Sequence, residues 1–318
     1  MRKIELKRTG VRVSELCFGA LPMGPNQKNM SPIDSAEVLS EALRLGVDFV
    51  DTAQIYQTYE PIRLAMESTG IRPAIATKST AASYEDMEAA IAEAYEKTGV
   101  DVIDIFLLHA ARPRDDIFES RRGAFQCLLD NKQKGRIRAV GISTHNVQTV
   151  VQAALNPDVD IVFPILNKTG MGILEGTRED MEKAIGECLN QNKDLYLMKV
   201  LAGGNLLDDY KDAIEYARVF SKGKMPIAIG MNSLDEVRIN IKCFNDEDIV
   251  EEVKHLSKQS KRYFIVPSLC KRCGKCIDAC HSEVISPNKD NALFIDESKC
   301  LRCGYCVNAC PEFAIRII

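Results

Sequence analysis

Eight of the twelve cysteines lie within the last 50 residues of this 318-residue chain, in two copies of the pattern C-x2-C-x2-C-x3-C. Thiolates at this spacing hold iron–sulfur clusters, and the fourth cysteine of each run ligates the cluster of the other run. Two one-electron cofactors predict that the chain performs redox chemistry. We therefore expect two [4Fe–4S] clusters, one on Cys270, Cys273, Cys276 and Cys310 and the other on Cys300, Cys303, Cys306 and Cys280.

The two cysteine runs also repeat each other. CKRCGKCIDAC and CLRCGYCVNAC agree at seven of eleven positions and begin 30 residues apart. Residues 262–318 thereby resemble a bacterial two-cluster ferredoxin, which implies a small α+β domain. Pro311 follows Cys310 as in that family, whereas His281 follows Cys280. A zinc ribbon would show two separated C-x2-C pairs, and a disulfide framework is typical of small secreted chains, so both alternatives fit less well.

Four polar residues outside this segment are suited to acid–base chemistry. Three of them end apolar runs and one lies in a loop: Asp51, Lys78 and His109, and Tyr56. Reduction of a carbonyl by hydride produces an alkoxide that needs a proton. The ordinary pKa of tyrosine, about 10, is too high for easy transfer unless a cation favours the phenolate. We expect Tyr56 to be the general acid, Lys78 to modulate it and Asp51 to hold the ammonium. His109 would orient the substrate oxygen. Tyr59 is the alternative acid, and each residue taken singly has a purely structural explanation.

Alternating strand-like and helix-like segments precede the cysteine-rich tail. Eight strand–helix units in roughly 230 residues favour a (β/α)8 barrel, an α/β fold whose chemistry takes place at the carboxyl ends of the strands. An open doubly wound sheet is the alternative, but no G-x-G-x-x-G follows the first strand. A hairpin of Ile4–Lys7 and Val11–Ser14 would close the barrel bottom. The predicted strands are Leu16–Gly19, Asp48–Asp51, Ala74–Lys78, Ile103–His109, Ile137–Ile142, Asp160–Phe163, Leu195–Lys199 and Ile227–Ile229.

At these strand ends the chain is similar to the aldo-keto reductase family, whose catalytic tetrad is Asp, Tyr, Lys and His. The stretches GVDFVDTAQIY, GISTHN, MKVLAGG and GMNSLDEVRIN carry the resemblance. It implies a barrel domain at 1–245, joined by a charged linker helix at 246–261 to the ferredoxin-like domain at 262–318. It also implies a small carbonyl or alcohol substrate and NADPH or NADH as cofactor. The implied nucleotide contacts are Ser143, Asn146, Asn167, Lys199, Leu201, Gly203, Gly230 and Asn240.

The eighth strand departs from the family pattern. Many NADP-dependent relatives have a lysine and an arginine there, which grip the 2′-phosphate. This chain has Gly230 and Glu236 instead, and an acidic side chain would repel a phosphate. Three possibilities therefore stay open: a preference for NADH, weak nucleotide binding, or a barrel that works without a soluble nicotinamide.

Three functions are compatible with these features. The first is a carbonyl or alcohol oxidoreductase that uses NAD(P)H, with the clusters linking the site to a ferredoxin-like or flavoprotein partner. A hydride carries two electrons together, whereas each cluster accepts one. The second function is therefore a reductase that receives single electrons from the clusters alone. The third is a non-catalytic electron-transfer or redox-sensing protein, which would have no need of the tetrad.

The bulk composition narrows the class of protein. A formal net charge of −4 argues against a general nucleic-acid-binding protein. The sequence contains no run of 18 consecutive apolar residues, so no membrane-spanning helix is expected. The first residues lack the apolar core of a secretory signal. The four scattered cysteines read as reduced, buried thiols. We expect a cytoplasmic protein from an anaerobic setting in which oxygen does not destroy the clusters.

Overall fold

The chain begins with an antiparallel hairpin that lies outside the main sheet. The computed structural model describes residues 1–25, 27–113, 116–253, 262–280, 282–300 and 305–317. Strands β1 (Lys3–Leu6) and β2 (Val11–Ser14) pair with Ile4 opposite Val13. Strand β1 begins and ends one residue earlier than predicted. Its side chains alternate, so that Ile4 and Leu6 face inward while Glu5 is exposed. Gly10 forms the turn with a φ of 69°, a conformation that glycine adopts without strain.

A barrel of parallel strands follows the hairpin. Among the described residues, eight strands form one parallel sheet in the order β10-β3-β4-β5-β6-β7-β8-β9. A parallel bridge between Leu197 and Ile227 joins its two ends. This closure confirms the predicted (β/α)8 fold and excludes an open doubly wound sheet. The strands are β3 (Leu16–Gly19), β4 (Phe49–Asp51), β5 (Ala74–Ser79), β6 (Ile103–Ala110), β7 (Ile137–Thr144), β8 (Ile161–Pro164), β9 (Asp194–Leu195) and β10 (Ile227–Gly230).

The seventh barrel strand is shorter than its sequence indicates. The prediction was Leu195–Lys199, but regular pairing covers only Asp194–Leu195. Beyond it the chain contacts its neighbours through single bridges at Leu197 and Met198. Lys199 then adopts a φ of 61°, which ends the extended conformation and turns the chain at the barrel mouth.

Helices cover the outside of the barrel, and their ends follow local capping rules. Ser31, Ser83 and Ser233 each accept a backbone hydrogen bond at the start of a helix. The segment 116–134 forms two helices that meet at Arg121. In the helix Tyr59–Thr69, Pro61 lies in the first turn, where proline is tolerated. The helices are α1 (Pro32–Arg44), α2 (Tyr59–Thr69), α3 (Tyr84–Thr98), α4 (Ile117–Ser120), α5 (Arg122–Gln133), α6 (Val147–Leu155), α7 (Arg178–Asn190), α8 (Tyr210–Ser221) and α9 (Leu234–Phe244).

The cysteine-rich tail folds into a small α+β unit that packs on the barrel. Strand β11 (Tyr263–Ile265) pairs with β14 (Ile315–Ile317), and β12 (Ile285–Pro287) pairs with β13 (Leu293–Ile295). Phe313 belongs to the apolar core of the barrel, so the two units share packing. The second half of the predicted linker helix, at 254–261, lies outside the described residues. Among the helices that the structure describes, none combines the length and apolar character needed to cross a membrane.

Candidate active site and cluster sites

A buried ion pair lies at the carboxyl ends of neighbouring strands β4 and β5. The Lys78 ammonium donates hydrogen bonds to both carboxylate oxygens of Asp51, at 2.8 and 2.7 Å, and to the Thr52 carbonyl at 2.7 Å. Tyr196 donates a hydrogen bond to the same carboxylate at 3.0 Å. Burial lowers the pKa of Lys78, and the Asp51 carboxylate opposes that shift. The ammonium therefore has a partner for each of its three protons and is fixed in place.

Tyr56 lies in a single 3-10 turn directly after β4, over this ion pair. Its ring centroid is 4.9 Å from the Lys78 nitrogen and 5.8 Å from the His109 ring, which meets it edge to face. Burial raises the pKa of Tyr56, the Asp51 charge raises it further, and Arg316 lowers it. The phenol thus retains its proton at neutral pH. The Arg316 charge, which comes from the C-terminal unit, opposes the rise and favours ionisation of the phenol.

His109 ends β6 beside Tyr56. Burial lowers its pKa to about 3, with further lowering from the charges of Lys78, Arg121 and Lys199. The imidazole is therefore neutral at physiological pH and has one N–H to donate. Its Nδ1 atom is buried and has no hydrogen-bond partner within the described part of the chain. A neutral imidazole with an unused polar atom suits a group that orients a substrate oxygen.

Tyr59 lies on the opposite side of the barrel wall from this group. Its side chain is buried, and its hydroxyl shares a 2.7 Å hydrogen bond with Thr77. Successive side chains of a strand point to opposite faces, so Thr77 and Lys78 face different sides of the sheet. Tyr59 is therefore packed between α2 and the sheet and does not join the group around Lys78.

A cavity of about 500 Å³ opens at the barrel mouth, with Asp51 and Tyr56 in its wall. Its volume falls in the range of small-molecule and cofactor pockets. Four of the eight predicted nucleotide contacts line it: Lys199, Leu201, Gly203 and Gly230. Glu236 also lines the cavity, so the two residues that replace the phosphate-gripping pair of many relatives both face this space.

The other four predicted nucleotide contacts are used within the barrel framework. Asn146 caps helix α6, and Asn167 makes its side-chain hydrogen bonds inside its own loop. Asn240 accepts a hydrogen bond from the Tyr210 hydroxyl at 2.5 Å. Ser143 is buried in β7, in register with His109. The structure does not bring these side chains into the wall of the mouth cavity.

Three residues of the C-terminal unit complete the cavity wall, and the sequence patterns did not identify them. Arg262 and Glu297 form an ion pair at its edge, and Arg316 projects from β14. The signal for Arg316 was a charged residue within the apolar run AIRII. Arg316 approaches Lys199 and Gly203 of the barrel, which are more than 100 residues away in the chain, so no local sequence pattern could predict its position. Tyr196, within the apolar seventh strand, was missed for the same reason.

Four cysteines surround one small cavity in the C-terminal unit: Cys270, Cys273, Cys276 and Cys310. Backbone N–H groups point at two of the sulfurs, from Arg272 to Cys270 at 3.4 Å and from Ala314 to Cys310 at 3.3 Å. Such N–H···S contacts are typical of iron–sulfur sites. The donor set and the shared cavity therefore fit a cluster.

The spacing of these sulfurs does not fit a single metal ion. A tetrahedral zinc site would bring its sulfurs to within about 3.8 Å of one another. In the described ranges no three cysteine, histidine or acidic groups converge on a single ion position, and no described cysteine forms a disulfide. Cys280, Cys300 and Cys306 of the second predicted site are described, whereas Cys303 and the neighbouring His281 lie outside the described residues.

Comparisons with known proteins agree with this division of the chain. A family model described as "Aldo/keto reductase family" matches residues 15–258, and one described as "4Fe-4S dicluster domain" matches residues 269–314. Methylglyoxal reductase DkgB of Yersinia pestis is 32% identical over 120 residues, 36% of this chain and 44% of that protein. This chain thus spans less than half the length of that relative.

Two longer matches cover the barrel. L-galactose dehydrogenase of Arabidopsis thaliana is 25% identical over 316 residues, covering 81% of this chain and 98% of that protein. The crystal structure of PA4992 from Pseudomonas aeruginosa superposes with a TM-score of 0.66 at 20% identity, covering 77% of this chain and 94% of that one. At this identity the structural likeness shows the fold alone.

Proposed function

The chain belongs to the aldo/keto reductase family and is an oxidoreductase with a C-terminal 4Fe-4S dicluster domain, and on this premise we propose that it interconverts a small carbonyl compound and its alcohol at the barrel mouth. The observation that carries the proposal is the grouping of Tyr56, His109 and the Lys78–Asp51 pair at one set of strand ends. A cavity of suitable size lies directly against this group.

The tetrad side chains divide the acid–base work. Tyr56 holds its proton at neutral pH and donates it to the substrate oxygen as negative charge develops there. His109, being neutral, donates a hydrogen bond that orients the same oxygen. Lys78, fixed by Asp51, places a positive charge beneath the phenol ring and stabilises the phenolate that remains. A bound nicotinamide would supply the hydride to the carbonyl carbon.

The nucleotide preferred by this site is NADH. Glu236 lines the cavity, and its carboxylate accepts the Asn232 backbone N–H at 2.7 Å. An acidic side chain accepts hydrogen bonds from a ribose hydroxyl and repels a 2′-phosphate. The remaining candidate contacts in the cavity wall are Lys199, Leu201 and Gly203, through their backbone N–H groups, and Gly230.

The clusters would exchange single electrons with a ferredoxin or flavoprotein partner. We assign one cluster to Cys270, Cys273, Cys276 and Cys310 and the other to Cys280, Cys300, Cys303 and Cys306. One strand separates the first of these sites from the barrel mouth, since Ile315 lines the cysteine cavity and the adjacent Arg316 lines the mouth cavity. Clusters and buried barrel thiols both suit a reducing cytoplasm with little oxygen.

This shared strand also favours a second candidate function, a reductase without nicotinamide. In that case a reduced partner protein delivers two electrons, one at a time, through the clusters to the substrate. Two protons accompany them, so that a carbonyl becomes an alcohol and two partner molecules are oxidised. A purely non-catalytic electron carrier is less well supported, because it gives no role to the buried Lys78–Asp51 pair beneath Tyr56.

Anaerobic titration of the cluster-loaded protein with NADH and NADPH separates these candidates. We expect saturable binding of NADH, with NADPH at least about tenfold weaker because each charge repulsion of this kind costs on the order of 1 kcal/mol or more. No binding of either nucleotide, together with carbonyl reduction driven by a reduced ferredoxin, would establish the second candidate instead.

The Tyr56→Phe variant tests the acid. It removes the proton donor and should lower carbonyl reduction by about 10² to 10⁴ while iron content is unchanged. Tyr59→Phe is the matched control, since that hydroxyl contacts Thr77 outside the site. Activity near the wild-type level in Tyr56→Phe would show that another group donates the proton.

A further inference from the structure

Arg316 is a buried arginine without an acidic partner. Its side chain is 5% exposed and lies over the Phe313 ring, with the guanidinium carbon 4.0 Å from the ring centroid. One guanidinium nitrogen donates to the backbone carbonyls of Phe313 and Ile315. Within the described part of the chain, the other guanidinium nitrogens make no hydrogen bond and no carboxylate pairs with the group. A buried cation in this state is stabilised when an anion reaches it.

The other charged groups of the mouth cavity nearly all have partners. Lys78 neutralises Asp51, and Glu297 neutralises Arg262. Lys28 donates to Asn232 at 2.7 Å and lies beside Glu236, whose pKa it lowers against the effect of burial. Each acidic side chain that lines the cavity thus has a positively charged side chain near it. The charged residues that line the cavity are Lys28, Asp51, Lys199, Glu236, Arg262, Glu297 and Arg316.

Lys199 is the second cation without a partner. It lines the cavity, and its ammonium forms no hydrogen bond or ion pair with another residue that the structure describes. Its φ of 61° is uncommon for a residue with a side chain and costs on the order of 1 kcal/mol. Arg316 lines the same cavity and approaches Gly203, four residues beyond Lys199. Burial lowers the pKa of Lys199, and the Arg316 charge lowers it further. Such a pair of like charges calls for a negatively charged ligand between or beside them.

The two cations lie near the proposed proton donor. Arg316 and Tyr56 line the same cavity. Burial and the Asp51 charge raise the pKa of Tyr56, and the Arg316 charge opposes that rise. A ligand whose carbonyl meets Tyr56 would therefore present its neighbouring substituent to Arg316. Arginine binds a carboxylate with two parallel hydrogen bonds, which a lysine beside it can supplement.

We propose that Arg316 and Lys199 form a subsite for the carboxylate of the substrate, so that the C-terminal unit contributes a specificity residue to the barrel and the substrate class is the 2-oxo or 2-hydroxy acids. This inference rests on the proposed carbonyl chemistry at Tyr56. It assigns to Arg316 a role in binding, in addition to its place in the strand that faces the clusters.

Pyruvate and methyl pyruvate are matched probes for this subsite, because they share the ketone and differ in the negative charge. Anaerobic calorimetry on the cluster-loaded protein should show pyruvate binding at least about tenfold more tightly than the ester. Arg316→Met should weaken pyruvate binding by about 10- to 100-fold, the range for a charge-assisted hydrogen bond, and leave the ester unchanged. Arg316→Lys should restore part of the affinity.

Two further variants keep the test decisive. Arg238→Met makes the same chemical change on the exposed face of α9, where Arg238 pairs with Glu41, and should bind both probes as the wild type does. If Arg316→Met loses its clusters, the Lys199→Met variant is used instead, because Lys199 lies in the barrel. It should also weaken the binding of pyruvate and leave the binding of the ester unchanged. Equal affinity of the wild type for pyruvate and its ester would overturn the proposal, as would unchanged pyruvate binding in both variants.

The pyrophosphate of a nucleotide is another source of negative charge, and its contribution is measured separately. Titration of Arg316→Met with NADH should give the wild-type affinity. Loss of NADH binding with pyruvate binding intact would assign the two cations to the nucleotide and refute the substrate subsite. Reduction of pyruvate that is unchanged in Arg316→Met would refute the subsite while the proposed function stands. Selective pyruvate binding without turnover would support the subsite and refute the proposed function.

Discussion

Two lysines at the barrel mouth, Lys78, which is buried, and Lys199, which is partly exposed, have different surroundings. Lys78 has three hydrogen-bond partners, including both oxygens of Asp51. Lys199 lies close by without any such partner among the described residues, and burial lowers its pKa to about 7, with added lowering from Arg316 and Lys78. Lys78 is therefore a fixed charge, whereas the charge of Lys199 depends on pH and on the ligand in the cavity.

The titration of Lys199 predicts how pyruvate affinity depends on pH. Lys199 is charged below its pKa of about 7, so affinity should be highest in acid and fall as the pH rises through neutrality. His109 and His145 are the histidines whose pKa responds to the Lys199 charge, but burial, as the larger cause, lowers the pKa of both well below this range, so they stay neutral. Removal of the Arg316 charge raises the pKa of Lys199. In Arg316→Met the fall should therefore move to higher pH, as measured by calorimetry across neutral and alkaline pH. An unshifted profile in Arg316→Met would contradict this coupling.

Strand β14 is held against the barrel mouth at glycines with left-handed backbone. Gly172 has a φ of 85°, and a Cβ there would lie 2.5 Å from the Phe313 ring. Gly203 has a φ of 66° and approaches the Arg316 side chain, where a Cβ would lie 3.1 Å from Cδ. An ion pair of Arg112 with Glu312 adds a polar contact beside them. The close fit of the cluster-bearing unit thus depends on loops of the barrel that carry no side chain at these points.

Gly172→Ala should loosen this docking. The added methyl group meets the Phe313 ring, and the left-handed backbone costs a further 1 kcal/mol or so. Amide hydrogen exchange in strand Ile315–Ile317 should become faster, while exchange in the barrel core is unchanged. Gly186→Ala in helix α7 is the matched control, because a Cβ there has no neighbour within 4 Å and alanine favours a helix. Equal exchange in the two variants would show that Gly172 does not hold the strand.

In the whole molecule, adjacent residues of one strand line two different cavities, Ile315 the cysteine cavity and Arg316 the mouth cavity. The two cysteine runs agree at seven of eleven positions. Among the described residues, the cavity of Cys270, Cys273, Cys276 and Cys310 shares strand β14 with the barrel mouth. Electron transfer between the mouth and the protein surface would then pass through the first cluster before the second. The two similar cysteine motifs therefore differ in their position relative to the barrel mouth.

The fourth cysteines of the two runs provide a matched pair of variants. Cys280→Ala should lose the second cluster and keep the first, and Cys310→Ala should do the opposite, because each ligates the cluster of the other run. Each variant keeps one cluster, which holds one electron, whereas pyruvate needs two, so the reaction is run anaerobically with an excess of a one-electron reductant that refills the cluster. Added pyruvate should then repeatedly reoxidise the cluster that remains in Cys280→Ala, with formation of the hydroxy acid, and fail to reoxidise the one in Cys310→Ala. Iron content and electron paramagnetic resonance measure both effects. Rapid reoxidation in Cys310→Ala would show that the first cluster is not the one next to the substrate.

Much of the fold and part of the site were predictable because their signals are local. Cysteine spacing indicates cluster chemistry, and alternating apolar periods indicate a barrel, which the closed sheet and the family model confirm. Asp51, Lys78 and His109 were found because residues that end consecutive parallel strands meet at one edge. Family spacing favoured Tyr56 over Tyr59, and strand alternation in the structure places Tyr59 behind the barrel wall.

The remaining features depend on contacts between distant parts of the chain. Asn146, Asn167 and Asn240 match the expected nucleotide pattern in sequence, but neighbouring helices and loops take up their hydrogen bonds. Arg316 reaches the mouth of a barrel whose strands end before residue 231, and no local pattern records that packing. Residue types and periods are local properties that determine which chemistry and which elements form. Which charges remain without a partner in the cavity depends on the packing of the whole chain, and only the tertiary structure decides it.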